Sequence, residues 1–230
     1  MKISEDTLSI LSNFASIQGS IVVDSGSVLS SVSEDKTLLV SAVVDEEFPQ
    51  KFGIYDLNEF LNASSLLGDS PSFSFEDDSV FINSADSNQC IRYGFADPIL
   101  LSTCVAPVDG ITLPDKADFK FELSGDNIKA IKKSSGVLNL PHVCFHVKGS
   151  SIAASVCDKS NKTMNGFDIN IPNSEVEAGL EFFCTLNVDT LKLFPGDYDV
   201  SIYKAGICHF FNKSVELEYF IAPQQNYTSF

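Results

Sequence analysis

The feature that most constrains this chain is an internal repeat. Ile3-Ser-Glu-Asp-Thr-Leu-Ser-Ile-Leu11 aligns without a gap on Leu123-Ser-Gly-Asp-Asn-Ile-Lys-Ala-Ile131. Ser4 meets Ser124, Asp6 meets Asp126, Leu8 meets Ile128 and Leu11 meets Ile131. Each copy opens with a serine suited to cap a helix and an aspartate that favours its first turn. A weaker second match follows, Asp56-Leu-Asn-Glu-Phe60 on Asn187-Val-Asp-Thr-Leu191. In both, a capping residue ends a strand-like run and starts a helical one. A pattern of strands and helices that occurs twice predicts two homologous halves, each of ordinary domain size. We expect residues 1–107 to form one domain, 108–116 a connector and 117–230 the second domain. Leu8, Leu11, Ile128 and Ile131 should all be buried against sheets.

Between the matched segments the chain reads mostly as strands. The first half suggests a helix over 4–15 and strands at 17–23, 27–32 and 36–44. A loop at Asp45–Pro49, a strand at 52–55 and a helix at 56–67 follow, with strands at 72–75, 80–82 and 89–95 after them. In the second half the strands are 119–123, 143–148, 152–157, 167–171, 180–186, 198–203, 208–211 and 215–221. A helix begins at Ser124 and should end at Gly136, and 188–194 reads as a short helical turn closed by Pro195-Gly196. The residues Gln224–Phe230 are polar and expected to fray. The class is α+β, four short helices in two pairs on antiparallel sheets.

The charge is uneven. The formal net charge is -16, yet residues 1–110 hold four basic against 17 acidic residues, while residues 111–230 hold 11 against 14. On a helical wheel Lys129, Lys132 and Lys133 share a sector beside the apolar one of Ile128 and Ile131. Such a flank is commonly a solvated face. A pI near 4.4 argues against a surface that docks nucleic acid in the usual way, but not against a small basic surface in an otherwise repelling protein.

Other patterns exclude more than they suggest. No apolar run approaches the roughly 18 residues of a membrane span, and Met1-Lys-Ile-Ser-Glu-Asp6 has no apolar core of a signal peptide. The six cysteines form no C-x-x-C pair, and buried free thiols of a reducing compartment are expected. Sequons begin at Asn62, Asn161, Asn212 and Asn226; without an export signal they carry little weight. His142-x-Cys144-x-His146 sets three possible ligands on one strand face but lacks a fourth, so no metal or other cofactor is expected. Glu76-Asp-Asp78 and Asp45-Glu-Glu47 lack the spacing of a calcium loop. No nucleotide loop, nucleophile elbow or His-Asp-Ser set is present, and the chain reads as a non-enzyme.

Residues 97–116 carry Pro98, Pro107, Pro114 and Gly110, but also too many apolar side chains for a solvated linker. They either pack along a sheet edge or line a groove. In the second case Leu100, Leu101, Ile111 and Leu113, with Phe220 and Ile221, would accept a partner's peptide.

Several segments together resemble the sliding clamps of T-even-type bacteriophages: Met1–Thr7 with Asn13-Phe-Ala-Ser-Ile17, Ile54-Tyr-Asp-Leu-Asn-Glu-Phe-Leu61, Ala96-Asp-Pro98 with Val105-Ala-Pro107, and Pro195-Gly-Asp-Tyr198. The resemblance runs nearly the whole length, in order. It implies the DNA-clamp fold and a homotrimeric ring of six domains whose helices line a hole for double-stranded DNA. It further implies a processivity factor that tethers the phage DNA polymerase, is placed by a clamp loader, serves late-transcription proteins, and works in the host cell cytoplasm. Lys129, Lys132, Lys133 and Lys2 would then face DNA. Where such clamps also carry lysines on the first helix, this chain has Ser9, Ser12 and Asn13, so the positive potential should come mainly from the second half. Two other readings stay open on the residues alone: a non-catalytic β-rich structural or adhesion module, and a small hydrolase with an unrecognised site.

Overall fold

The chain's two matched helices do form, and each is set by its serine cap. The computed structural model describes residues 1–105, 111–161, 165–172 and 181–229. It divides into two units, Met1–Ile111 and Thr112–Phe230. Connector residues Pro107 and Gly110 lie outside the described residues.

In the first unit α1 spans Glu5–Ile17, where a strand from residue 17 was expected. The Ser4 hydroxyl accepts from the Thr7 N–H, 3.2 Å. Ile10, Leu11, Phe14 and Ile17 are buried at the spacing of one helix face, which is why the helix continues to Ile17. Leu8 is only half-buried; Thr7 takes the inner position instead. The strands are β1 (Ile21–Val23), β2 (Gly26–Val32), β3 (Leu38–Phe48) and β4 (Phe52–Ile54). Then come α2 (Leu57–Leu66), β5 (Ser72–Phe75), β6 (Ser79–Asn83) and β7 (Cys90–Gly94). β1 pairs with β4, β2 with β3, and β5, β6 and β7 form a three-stranded antiparallel sheet.

The expected loop at Asp45–Pro49 is instead the end of β3. Gly26 pairs with Phe48 and Val28 with Val43, so extra residues bulge out of β3 between these rungs. Two contacts hold this shape. Phe48 is buried beside Phe52 and Phe75, with ring centroids 5.9 and 6.2 Å away. Glu46 turns to α1, where its carboxylate accepts from the Ser4 N–H and the Thr7 hydroxyl, both at 2.5 Å. Partial burial pulls the Glu46 pKa up, but those donors outweigh it and hold it below the ordinary value.

In the second unit β8 (Phe119–Leu123) leads into α3 (Gly125–Leu138). The strands after it are β9 (His142–Lys148), β10 (Ser151–Cys157), β11 (Phe167–Ile171), β12 (Phe183–Asn187), β13 (Tyr198–Tyr203), β14 (Ile207–Asn212) and β15 (Leu217–Ile221). They make two four-stranded antiparallel arrangements, β11-β10-β9-β12 and β15-β14-β13-β8. In the second, alternate residues face the core on β8 (Phe119, Phe121 and Leu123) and on β13 (Tyr198, Val200 and Ile202), whereas β9, β10 and β12 of the first each bury three consecutive residues, Val143–Phe145, Ile152–Ala154 and Cys184–Leu186.

α3 does not stop at Gly136. It runs to Leu138 and is closed by Asn139 in the left-handed conformation, φ 54 and ψ 51. Buried Leu140 anchors the exit: its N–H and carbonyl bond the Ser135 carbonyl and hydroxyl. The expected fourth helical segment is one 3-10 turn, Val188–Thr190, capped by Asn187. It cannot extend to Phe194, because two tyrosines claim that residue's backbone. The Phe194 N–H donates to Tyr219 Oη at 2.9 Å, and Tyr198 Oη donates to the Phe194 carbonyl at 2.6 Å. Both rings are fully buried, and burial pushes the Tyr198 hydroxyl up to about 12.

Candidate nucleic-acid interface

The basic face begins with how α3 is seated. Its first turn rests on the turn Pro195-Gly196-Asp197, and Asp197 Oδ1 accepts the Gly125 N–H at 2.8 Å. The approach leaves no room for side chains. A Cβ on Gly125 would lie 2.9 Å from the Gly196 carbonyl oxygen, and one on Gly196 would lie 2.8 Å from Asn212 Nδ2. Gly196 also has φ +140, a conformation favoured by glycine. Buried Asn212 supports the turn from beneath: Oδ1 accepts from the N–H groups of Ser214 and Val215, and Nδ2 donates to the Pro195 carbonyl at 3.4 Å.

Ile128 and Ile131 are buried under α3, while Lys129, Lys132 and Lys133 are exposed in the neighbouring sector, as the wheel predicts. Lys129 Nζ lies 3.4 Å from Asp126 Oδ1, an exposed pair on consecutive turns. Lys132 lies along a cleft of about 480 Å³ between α3 and Leu193–Asp197. Although the side chain is exposed overall, desolvation along the cleft draws its pKa down. The face can thus meet a polyanion with up to three ammonium groups on a rigid helix.

The corresponding face of α1 is not basic. Ser9 and Ser12 are exposed and Asn13 half-buried, with Glu5 and Asp6 in the first turn. Lys2 precedes that helix, in an extended bridge to Ser72 beside β5. The structure gathers Lys129, Lys132 and Lys133 and leaves Lys2 in the other unit.

The apolar residues of the connector differ sharply. Leu100 is 79% exposed, as is Ile99. Leu101 is buried against Val22 and Cys104 in the first unit. Ile111 and Leu113 are partly exposed, whereas Phe220 and Ile221 are buried within β15. Tyr219, Phe220 and Ile221 are buried in succession in β15, and the turn at Asp97–Leu101 separates exposed Leu100 from buried Leu101; neither is legible from hydropathy alone.

The strand carrying His142, Cys144 and His146 uses its side chains locally. His142 Nδ1 accepts the Lys159 N–H at 3.3 Å, and His146 Nε2 is 2.8 Å from Ser155 Oγ. Among the described residues no three or more His, Cys, Asp or Glu side chains converge on a metal position. Likewise no helix among them is long and apolar enough to cross a membrane. All six cysteines are free thiols; Cys184 and Cys208 Sγ lie 3.2 Å apart in the interior. The sequon residue Asn212 is buried, which removes it as a glycosylation site in the folded chain.

Sequence reasoning missed the segment after β15. Gln224–Ser229 does not fray but lies along β12, with a two-way backbone pair between Phe183 and Ser229. Its polar composition hides the hydrogen bonds that place it.

Comparison with known proteins extends these observations. A family model described as gp45 sliding clamp, C terminal, matches residues 120–225. A sliding clamp of Vibrio phage KVP40 is 30% identical over 228 residues, 97% of this chain and 99% of the relative. Those of Escherichia phage RB69 and Enterobacteria phage T4 are 27% and 28% identical, each over 90% of this chain and 89% of the relative. The fold is shared more widely. The proliferating cellular nuclear antigen of Entamoeba histolytica superposes with TM-score 0.63 at 14% identity, over 94% of both chains. That of A. fulgidus, solved with the C-terminal region of FEN-1, gives 0.67 at 14% over the same shares. The polymerase sliding clamp of Pseudomonas aeruginosa gives 0.67 at 11%, over 97% of this chain and 66% of that one. The DNA-clamp fold and an end-to-end phage relative at 30% identity lead to one conclusion: the chain belongs to the bacteriophage sliding clamp family.

Proposed function

We propose that the chain closes head to tail into a homotrimeric ring around double-stranded DNA and tethers the phage's replicative DNA polymerase in the host cytoplasm. Family membership makes it a non-catalytic processivity factor. The observation that carries the ring is a pair of unlike sheet edges. β7 in the first unit and β11 in the second have a strand on one side only among the described residues. An edge with unpaired N–H and C=O groups is a template for another chain. Joining β7 of one copy to β11 of the next is a heterologous contact, and such contacts make a ring when the rotation closes. A ring holds DNA by topology and needs only weak phosphate contact, of the order of non-specific binding at roughly 10⁻⁴ to 10⁻⁶ M. The acidic chain keeps DNA off its other surfaces, and the α3 lysines supply the attraction. Because α1 lacks lysines, the second unit carries most of it.

A clamp loader would open one joint to place the ring. Partner peptides, including those of polymerase and late-transcription proteins, would dock through exposed apolar groups such as Leu100. A protein of the same fold has been solved with the C-terminal region of FEN-1 bound, which supports docking by a partner's terminal segment. The test is native mass combined with loader-dependent primer extension. A species of three times 25.0 kDa that lengthens polymerase products is expected. A monomer at replication concentrations with no effect on product length would sink the proposal.

A further inference from the structure

The segment after β15 is held in an unusual way. It meets the outer edge of β12, the edge opposite β9. At Phe183 the contact is regular: the Phe183 N–H donates to the Ser229 carbonyl and the Ser229 N–H to the Phe183 carbonyl, each 2.8 Å. An antiparallel ladder would next pair Thr185 with Tyr227 through the same two backbone bonds. It does not. The Thr185 N–H donates to the side chain of Thr228 at 3.2 Å, and the Tyr227 carbonyl accepts from the Thr185 hydroxyl at 2.8 Å. The Thr185 carbonyl is taken by the Gln224 N–H at 2.7 Å. The reason is the 3-10 turn Gln225–Tyr227, which folds the segment back after a single rung.

Little else holds it. No residue of that turn is buried, and Tyr227 remains 37% exposed, its ring edge-on to His142 at 5.4 Å. Its hold is a few hydrogen bonds, most of them to the buried Thr185 and each worth roughly 0.5–1.5 kcal/mol, with little apolar burial of the segment itself. An extended peptide would replace the side-chain substitutes at Thr185 with a continuous ladder, the usual mode of strand addition.

We propose that Gln224–Ser229 is a displaceable strap over a strand-addition site on β12, and that this site takes an extended peptide with an aromatic residue followed by two small hydroxyl residues. That chemistry is the strap's own, Tyr227-Thr228-Ser229. The peptide's aromatic ring would take Tyr227's place against His142, and its backbone would pair with Phe183 and Thr185. The proposal is independent of the ring and involves residues of the second unit alone.

The probe is a fluorescein-labelled peptide, Val-Thr-Val-Tyr-Thr-Ser, titrated into three full-length or shortened chains by anisotropy. These are the unaltered chain, Thr228→Val, and a chain ending at Pro223. Thr228→Val removes the acceptor for the Thr185 N–H without touching β12. If the strap occupies the edge about 90% of the time, freeing the edge tightens binding about tenfold. Hydrogen exchange should show the Phe183 and Thr185 amides deprotected by Thr228→Val and reprotected by the probe. Equal affinity for all three chains, or no binding to the folded shortened chain, overturns the proposal. If the shortened chain loses its circular dichroism, Thr228→Val alone decides: unchanged affinity and unchanged exchange at Thr185 overturn it.

Discussion

Replacing Lys129, Lys132 and Lys133 together by Gln tests the basic face most directly. The three share the exposed sector of α3 next to Ile128 and Ile131, so a duplex facing that sector meets all of them. Each phosphate neutralised adds about 0.9 to the slope of log affinity against log salt. Three contacts give a slope of about 2.7, which makes a fivefold rise in salt weaken binding by about 80-fold. The Gln variant should lose that slope. The fold should not suffer. Gln and Lys have similar helix propensity, and the lost Lys129–Asp126 pair is exposed and screened, hence worth little. Gln also keeps part of the Lys132 stem against the cleft, which Ala would not. The measurement is anisotropy of a labelled blunt duplex over a salt series, with circular dichroism and native mass in parallel. A variant that is folded, has the same mass and keeps the unaltered salt slope would refute the reasoning. The lysines would then be a solvated face.

Three further outcomes follow from the packing. Glu46→Gln should weaken the seat of α1 by about 1 kcal/mol in urea denaturation, the scale of one lost cap. Because the Glu46 pKa is lowered in the fold, its contribution is present above the ordinary glutamate value. It fades as pH falls through the folded value, so the two proteins should converge in strong acid. Gly196→Ala should destabilise by about 2 to 3 kcal/mol, combining a left-handed φ with a Cβ 2.8 Å from Asn212; a midpoint within a few tenths of the unaltered chain would contradict it. Alkylation of the native protein should modify Cys90 first, since it is exposed. Cys157 should lag, half-buried with its thiol pushed up by burial, and Cys104, Cys144, Cys184 and Cys208 should react only on unfolding, as peptide mass mapping would show.

What the sequence determined by itself is local and periodic. Ser4 and Ser124 cap helices because a short hydroxyl side chain reaches its own first turn. β8, β11 and β13 lie where alternation puts them, and the lysines of α3 share a sector because 3.6 residues per turn requires it. The repeat was legible for the same reason. What only the tertiary structure decided depends on partners distant in sequence. Glu46 belongs to an acidic run that reads as a loop until Ser4 and Thr7 arrive across the core to use it. The fourth helical segment shrinks to one turn because Tyr198 and Tyr219 take the backbone of Phe194. Leu100 and Leu101 are adjacent and equally apolar, yet one is exposed and the other packs on Val22 and Cys104. Gln224–Ser229 carries no apolar pattern at all, and only the unpaired edge of β12 gives its backbone a place. Hydropathy measures what a residue gains by burial; which residues receive it depends on which edges and cavities the rest of the chain leaves open.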